Sequence, residues 1–337
     1  MNKDVIKRLK NAGLLSDEAH DLGFVSTGSY ALNKIISGDY MKGIPIGMIS
    51  QFHGEASTAK TVFATHILKE AQSKGYYSML VDSENAYNPT FAKQLGVDPE
   101  RLIYSTAETL EDSFQVMEDT ILSIREADPN TPIVIAYDSI AVSPSKAEYE
   151  AESYDGNNMQ GAIRAKSTGA CLRKINPLMR KHKVALIVIN QIRSKVGVMY
   201  GNPETMAAGG KSLDYYLGVN LKCISNKTAD LVRDDNKQVI GITGTVRNTK
   251  NKVSIPFREC EFELMYDEGL NACAGMLKLL VLDNVVEQSG AWYSWNGVKF
   301  QRKEFDNSFS SGEKFTGLRE AVGVKTQPAE NKELTAK

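Results

Sequence analysis

The chain predicts an α/β fold in which a mostly parallel sheet is covered by helices on both faces. Three observations carry this reading. Apolar runs of strand length recur without polar alternation, in GMISQFHG, YYSMLVDSE, PIVIAYDS and VALIVINQ. Such runs suit strands buried on both faces. Segments with helical spacing separate them, as parallel crossovers require. The turn after the first run, GEASTAKT, opens a helix in the way an anion-binding loop does.

Taken in order, residues 2–15 place Val5, Ile6, Leu9 and Leu14 among lysines. This is a short amphipathic helix that must dock on its own domain or on another copy. GMISQFHG is a strand, and KTVFATHILKEAQSKG a helix with Phe63, Ile67, Leu68 and Ala71 inward. YYSMLVDSE, a helix near 109–126 and the strand PIVIAYDS follow. A helix covers roughly 162–182, with Pro177 expected to kink or end it, and VALIVINQ is again a buried strand. Residues 191–211 hold four glycines, a proline and no sustained period, which is long for a structureless connection and points to function. Beyond 215, VNLKCISN, QVIGITGTVRNTK and ECEFELMY predict antiparallel strands extending the sheet. Residues 273–322 read as a small mixed subdomain, and the polar tail from 323 to 337 as disordered.

Composition sets limits. Hydrophobic residues make up 42% of the 337 and charged residues 24%, enough apolar material for a large core. The formal net charge of -1 gives no global field for nucleic acid, so any such surface is a local patch. Cys171, Cys223, Cys260 and Cys273 form no C-x-x-C pair, as expected of reduced thiols in a cytoplasmic protein. No apolar run approaches about 18 residues and the N-terminus lacks a signal-peptide core, so no membrane association and no export are expected. His20, His53, His66 and His182 lack metal-ligand spacing and are given structural roles.

In GEASTAKT, Ala59 stands where the pattern G-x-x-x-x-G-K-[ST] has its second glycine. Backbone N–H groups from Gly54, Glu55, Ala56, Ser57, Thr58 and Ala59 would wrap a β-phosphate at the helix start. The Lys60 ammonium would neutralise β- and γ-oxygens, and the Thr61 hydroxyl would join a Mg²⁺ shell. The Ala59 methyl costs something only if φ there is positive or the methyl meets phosphate. Asp138 ends its apolar strand where a carboxylate would hold Mg²⁺ through water. A simple cap for the next turn is the alternative. Glu84, with Asp82 as competitor, is placed to orient an attacking water. Together these favour an ATPase.

Longer segments add a resemblance. VDSENAYNPTFAKQLGVDPERL, INQIRSKVGVMYGNPET, the Lys-Asn-Lys of TKNKVSIPF, and YDEGLN with GAWYS resemble the RecA-type recombinases, in the family's order from residue 26 to 297. The resemblance implies a RecA-like P-loop ATPase core over 23–272, an N-terminal oligomerisation arm over 1–22 and a small α+β C-terminal subdomain. It implies a homo-oligomeric helical filament on single-stranded DNA with ATP between protomers, pairing with homologous duplex DNA and strand exchange. Recombination mediators and single-strand-binding proteins are its expected partners.

By position, Glu84 matches the catalytic glutamate, which settles it over Asp82, and Gln191 the glutamine that contacts the γ-phosphate. Lys250 and Lys252 match lysines reaching the ATP of the adjacent protomer, while Asn88, Phe91 and Tyr266 fall where relatives hold adenine. Residues 150–161 and 191–211 match the two DNA-binding loops. Met159 and Val196 correspond to wedges between bases. Arg164, Lys166, Arg173, Arg193 and Lys195, with the N–H groups of Gly209 and Gly210, would contact phosphates. Cationic side chains beside apolar wedges and a glycine-rich turn suit a single-strand tracking surface, since phosphate contacts need no sequence information.

The chain departs from the family's pattern at Ala59, in a slightly longer spacing around 155–172, in its short arm, and in a tail without an acidic run. The short arm and altered loop are compatible with a phage-encoded member. Two other readings compete. One is a catalytically weak paralogue that binds nucleotide and modulates filaments, supported by Ala59 alone. The other is a ring-forming helicase motor, which would need an arginine finger and a primase-binding domain that the sequence does not display.

Overall fold

Why the apolar runs lack alternation becomes plain from the sheet they enter. The computed structural model describes residues 4, 5, 8, 22–151, 158–194, 204–206, 210–225, 229–310 and 312–324. Strands β1 (Phe24–Val25) and β2 (Ile44–Pro45) pair antiparallel around helix α1 (Tyr30–Ser37). Ser29 caps α1 by accepting from the Leu32 N–H at 3.3 Å, and Gly38 ends it at φ 87°.

The core then alternates through β3 (Ile49–Gly54), α2 (Lys60–Ser73), β4 (Tyr77–Asp82), α3 (Pro89–Gln94), β5 (Leu102–Ser105), α4 (Leu110–Ala127) and β6 (Ile133–Asp138). After α5 (Lys146–Tyr149) and α6 (Asn158–Lys181) come β7 (Val184–Ser194), β8 (Glu204–Met206), α7 (Gly210–Tyr216) and β9 (Leu217–Ile224). Strands β10 (Leu231–Arg233), β11 (Val239–Asn251), β12 (Glu259–Met265) and β13 (Gly269–Leu270) complete an 11-stranded sheet.

Its path is β13-β12-β11-β9-β3-β7-β6-β4-β5, with β10 added on β11 and β8 on β7. From β9 to β5 every neighbouring pair is parallel. The expectation that all strands beyond 215 run antiparallel is therefore corrected for β9, which pairs parallel with β3 from Ser50↔Val219 to Gly54↔Cys223. β11, β12 and β13 are antiparallel as expected. β3 has neighbours on both edges and helices on both faces. On one face Phe52 stacks on Phe63 of α2 at 5.4 Å, and Phe63 meets Phe262 edge-on at 5.1 Å. On the other face Ile49 packs in the layer that includes Phe114, Tyr137 and Leu172. Burying each such side chain contributes about 1.5–3 kcal/mol.

Other expectations are also corrected. Helix α6 begins at Asn158 and runs through Pro177 to Lys181, so the proline does not end it. The stretch 191–211 is not wholly irregular. β7 continues to Ser194, pairs with β8 from Ile192↔Met206 to Ser194↔Glu204, and α7 starts at Gly210. Of the N-terminal arm over 1–22, only Asp4, Val5, Arg8 and Leu22 are described; the first three are helical, and Leu22 packs against the main core.

After α8 (Met276–Leu282), strands β14 (Glu287–Ser289), β15 (Trp292–Trp295) and β16 (Val298–Gln301) form an antiparallel sheet, followed by α9 (Arg302–Ser308) and α10 (Thr316–Ala321). Phe300, Phe305, Phe309 and Phe315 pack ring to ring, and Tyr30 meets Phe309 at 6.3 Å, joining this unit to the main core. Val324 is buried, so packed chain continues past the expected end at 322. Residues 325–337 lie outside the described residues.

Candidate nucleotide-binding site

Neighbouring parallel strands bring their carboxyl ends together, and the segments that follow them meet at one crevice. Here β3, β7, β6 and β4 are neighbours, with Gly54 level with Gln191 and Asp82 level with Asp138. A Cβ on Gly54 would lie 2.4 Å from the Cys223 carbonyl oxygen and 2.9 Å from Thr58 Oγ1, so only glycine fits there. In the loop, Thr58 Oγ1 donates to the Glu55 carbonyl at 2.9 Å. The buried Lys60 ammonium donates to the same carbonyl and lies 3.5 Å from Thr58 Oγ1. Ala59 takes φ 64° and Ser57 φ 63°, both left-handed. The condition under which the Ala59 methyl carries a cost is therefore met.

Thr61 Oγ1 donates to Asp138 Oδ2 at 2.6 Å. Burial, followed by the charges of Glu84 and Asp82, pushes the Asp138 carboxyl up to about 6 despite the Thr61 bond. A buried carboxylate short of positive charge beside a hydroxyl is the oxygen donor pair that Mg²⁺ takes, so these residues fit that ion. Among the described residues no cluster of three or more His, Cys, Asp or Glu suits a metal.

The two acidic residues after β4 separate by their partners. Asp82 is buried and fully engaged. It accepts from Glu84 N–H at 3.1 Å, Tyr87 N–H at 2.9 Å and the Tyr104 hydroxyl at 3.1 Å, which shapes the turn. Glu84 lies two residues past the strand end rather than on it, and its side chain is exposed. Its Oε1 accepts from Ser139 Oγ at 2.7 Å and from Gln191 Nε2 at 3.2 Å. Ser139 is itself held by Ser83, whose Oγ donates to the Ser139 carbonyl at 2.8 Å and accepts its N–H at 3.0 Å. Sequence reasoning did not single out Ser139 and Ser83. Their only signal was position, directly beside Asp138 and Glu84.

A family model described as RecA N-terminal domain matches residues 5–271. Protein RecA of Rhodospirillum rubrum is 36% identical over 279 residues, covering 83% of this chain and 72% of that protein. Protein RecA of Clostridium acetobutylicum is 33% identical over 297 residues, 88% of this chain and 79% of that one. Protein RecA of Chlorobaculum tepidum is 35% identical over 275 residues, 82% and 75% respectively. The chain belongs to the RecA family.

Against the RecA family's expected contacts, the remaining candidates divide. Lys250 Nζ donates to the Asp214 carbonyl and Lys252 Nζ to the Tyr215 carbonyl at 3.4 Å, so both cover the last turn of α7. Burial and then the neighbouring Lys252 lower the Lys250 pKa. Asn88 caps α3 by accepting from Thr90 and Phe91 N–H at 3.0 and 3.1 Å, a sufficient structural role. Phe91 is half-buried in α3 and Tyr266 is 44% exposed after β12; Gln94 donating to the Asp267 carbonyl at 3.2 Å draws these two segments together.

Lys166 and Arg173 are exposed along α6, while Arg164 donates to the Ala141 carbonyl at 3.3 Å. Met159 lies in α6, Arg193 in β7 and Gly210 at the start of α7. Lys195, Val196 and Gly209 lie outside the described residues. The four cysteines are free, and no helix among the described residues is long and apolar enough to cross a membrane.

Proposed function

We propose that this protein is an ATP-dependent DNA recombinase. It assembles as a filament on single-stranded DNA, with ATP and Mg²⁺ between copies, and exchanges strands with homologous duplex. The observation that carries the reading is the division of labour between Asp82 and Glu84. One carboxylate is spent on the turn, and the other is presented at the mouth of the phosphate loop by Ser139 and Gln191.

In this mechanism the loop N–H groups and the helix start hold the phosphates, and Lys60 leaves the Glu55 carbonyl for the β- and γ-oxygens. Thr61 and Asp138 would hold Mg²⁺, whose chemistry is to offset charge on the transferring phosphoryl group. Glu84 orients a water in line with the γ-phosphorus and accepts its proton. Gln191 touches both Glu84 and the γ-phosphate, and its strand runs on toward the second DNA loop. Hydrolysis removes the contact that Gln191 reports, which loosens DNA. Lys250 and Lys252 would turn from α7 to the nucleotide of an adjacent copy. The same reading places the duplex and accessory proteins as partners, and an N-terminal arm, a core and a small C-terminal unit as its parts.

ATP hydrolysis measured with and without single-stranded DNA, at two salt concentrations, tests this. Stimulation that weakens as salt rises is expected, because phosphate contacts release counterions. ATP-dependent DNA binding without turnover would favour the weak paralogue instead.

A further inference from the structure

Under the site, the middle of the sheet holds a string of buried amides that apolar strands do not need. Asn190 of β7 is fully buried; its Oδ1 accepts from the Gln191 N–H at 2.9 Å and its Nδ2 donates to Gln51 Oε1 at 3.1 Å. Gln51, fully buried on β3, passes the string on by donating Nε2 to Asn220 Oδ1 at 2.9 Å. His53 Nδ1 meets the same oxygen at 2.8 Å, so that nitrogen carries the proton. Three adjacent strands are thus bridged by side chains as well as by their backbone ladder.

The far end of the string lies at an irregularity. Asn220 stands opposite Lys250, while Asn248 stands opposite Leu221, so Thr249 is an extra residue in β11. The Thr249 hydroxyl donates to the Asn220 carbonyl at 3.1 Å. A bulge re-aims the side chains that follow it, and here those are Lys250 and Lys252. Each buried amide would cost free energy if unpaired, and apolar replacements would serve stability as well. A satisfied network rigidifies what it joins.

We propose that Asn190, Gln51 and Asn220 are positioning residues. They tie the strand end carrying Gln191 to the bulge that aims Lys250 and Lys252. The inference rests on the reading above, in which Gln191 serves this copy's ATP and the lysines serve the next copy's. One chain then touches two successive nucleotides through the two ends of one rigid string. The string makes successive sites cooperative in ATP.

The test uses the full chain, Gln51→Met (near-isosteric), Asn220→Leu, their double variant, and Asn220→Asp, which keeps the acceptor for Gln51 and His53. Hydrolysis stimulated by single-stranded DNA is followed against ATP concentration, with thermal melting alongside. The full chain should show a Hill coefficient above 1. Gln51→Met and Asn220→Leu should bring it toward 1 and raise the half-saturating ATP concentration roughly tenfold, within the usual range of site coupling. The double variant should be no worse than the worse single, and Asn220→Asp should keep the parental coefficient.

Should Asn220→Leu not fold, Gln51→Met against Asn220→Asp makes the same comparison. An unchanged coefficient in the variants overturns the proposal, even if kcat and Tm fall together. DNA stimulation with a parental coefficient of 1 overturns this inference alone. A full chain without DNA-stimulated hydrolysis overturns the recombinase reading as well.

Discussion

Ala59 is the residue at which sequence pattern and backbone disagree. Its φ of 64° belongs to the region that glycine enters without penalty, whereas a methyl group there costs about 1–2 kcal/mol. Ala59→Gly should stabilise the nucleotide-free protein by about 1 kcal/mol once the extra freedom of glycine in the unfolded chain is counted, raising Tm by about 2 °C. An unchanged or lower Tm in thermal unfolding would refute it. Glu84→Gln should lower DNA-stimulated hydrolysis at least about 100-fold while ATP-dependent DNA binding persists. Parental turnover would remove Glu84 from the mechanism.

For Asp138, burial raises the folded pKa from 3.8 to about 6, so its contribution is present below pH 3.8 and is lost as pH rises through 6. That is at most about 3 kcal/mol of cost above pH 6. Without divalent cation at pH 7.5, Asp138→Asn should melt no lower than the parent, and the rise in Tm caused by Mg²⁺ in the parent should vanish. A Mg²⁺ effect that survives the substitution would place the ion elsewhere.

His66 makes one of the polar contacts that hold elements to one another. On α2 it accepts the Leu270 N–H through Nε2 at 3.1 Å, fastening the helix behind the phosphate loop to β13. Burial, then Lys69, lowers its pKa to about 4. With the folded value below the unfolded one, His66 stabilises above pH 6.5 and that support is lost as pH falls toward 4. The parent should therefore lose up to about 3 kcal/mol across that window, and His66→Gln should flatten the decline in a denaturant series. An equally steep decline in the variant would exclude His66 as its cause.

At this scale the sequence was informative where an element's own chemistry decided it. β6 and β7 were readable because strands covered on both faces cannot alternate, and the loop before α2 because glycine and Lys-Thr spacing follow from phosphate geometry. The direction of β9 was not readable, since parallel or antiparallel depends on which strand lies beside it. Ser139 was missed because a lone serine at a strand end looks like any cap. Gln51 and Asn190 were missed because buried amides inside apolar runs show no periodicity.

The whole molecule carries almost no net charge, so the long-range field does not recruit DNA and contact must be local. Replacing the exposed Lys166 and Arg173 together by alanine should weaken DNA binding and reduce its salt slope by about 1–2, because each lost phosphate contact lowers the slope of log K against log salt by roughly 0.7 on a single strand. An unchanged slope would return α6 to the role of a solvated face.

The sheet order also governs how the chain reaches this form. Its central strand, β3, is made early in the sequence but finds both partners late. Ile49 pairs level with Leu186, and Ser50 with Val219. Closing loops of that length is slow, and until it happens an apolar strand stays open on both edges. During synthesis, then, the first half of the chain has no finished core to collapse onto. Fragments that stop before residue 217 should aggregate rather than fold, and assembly of the sheet should wait for β9 to emerge.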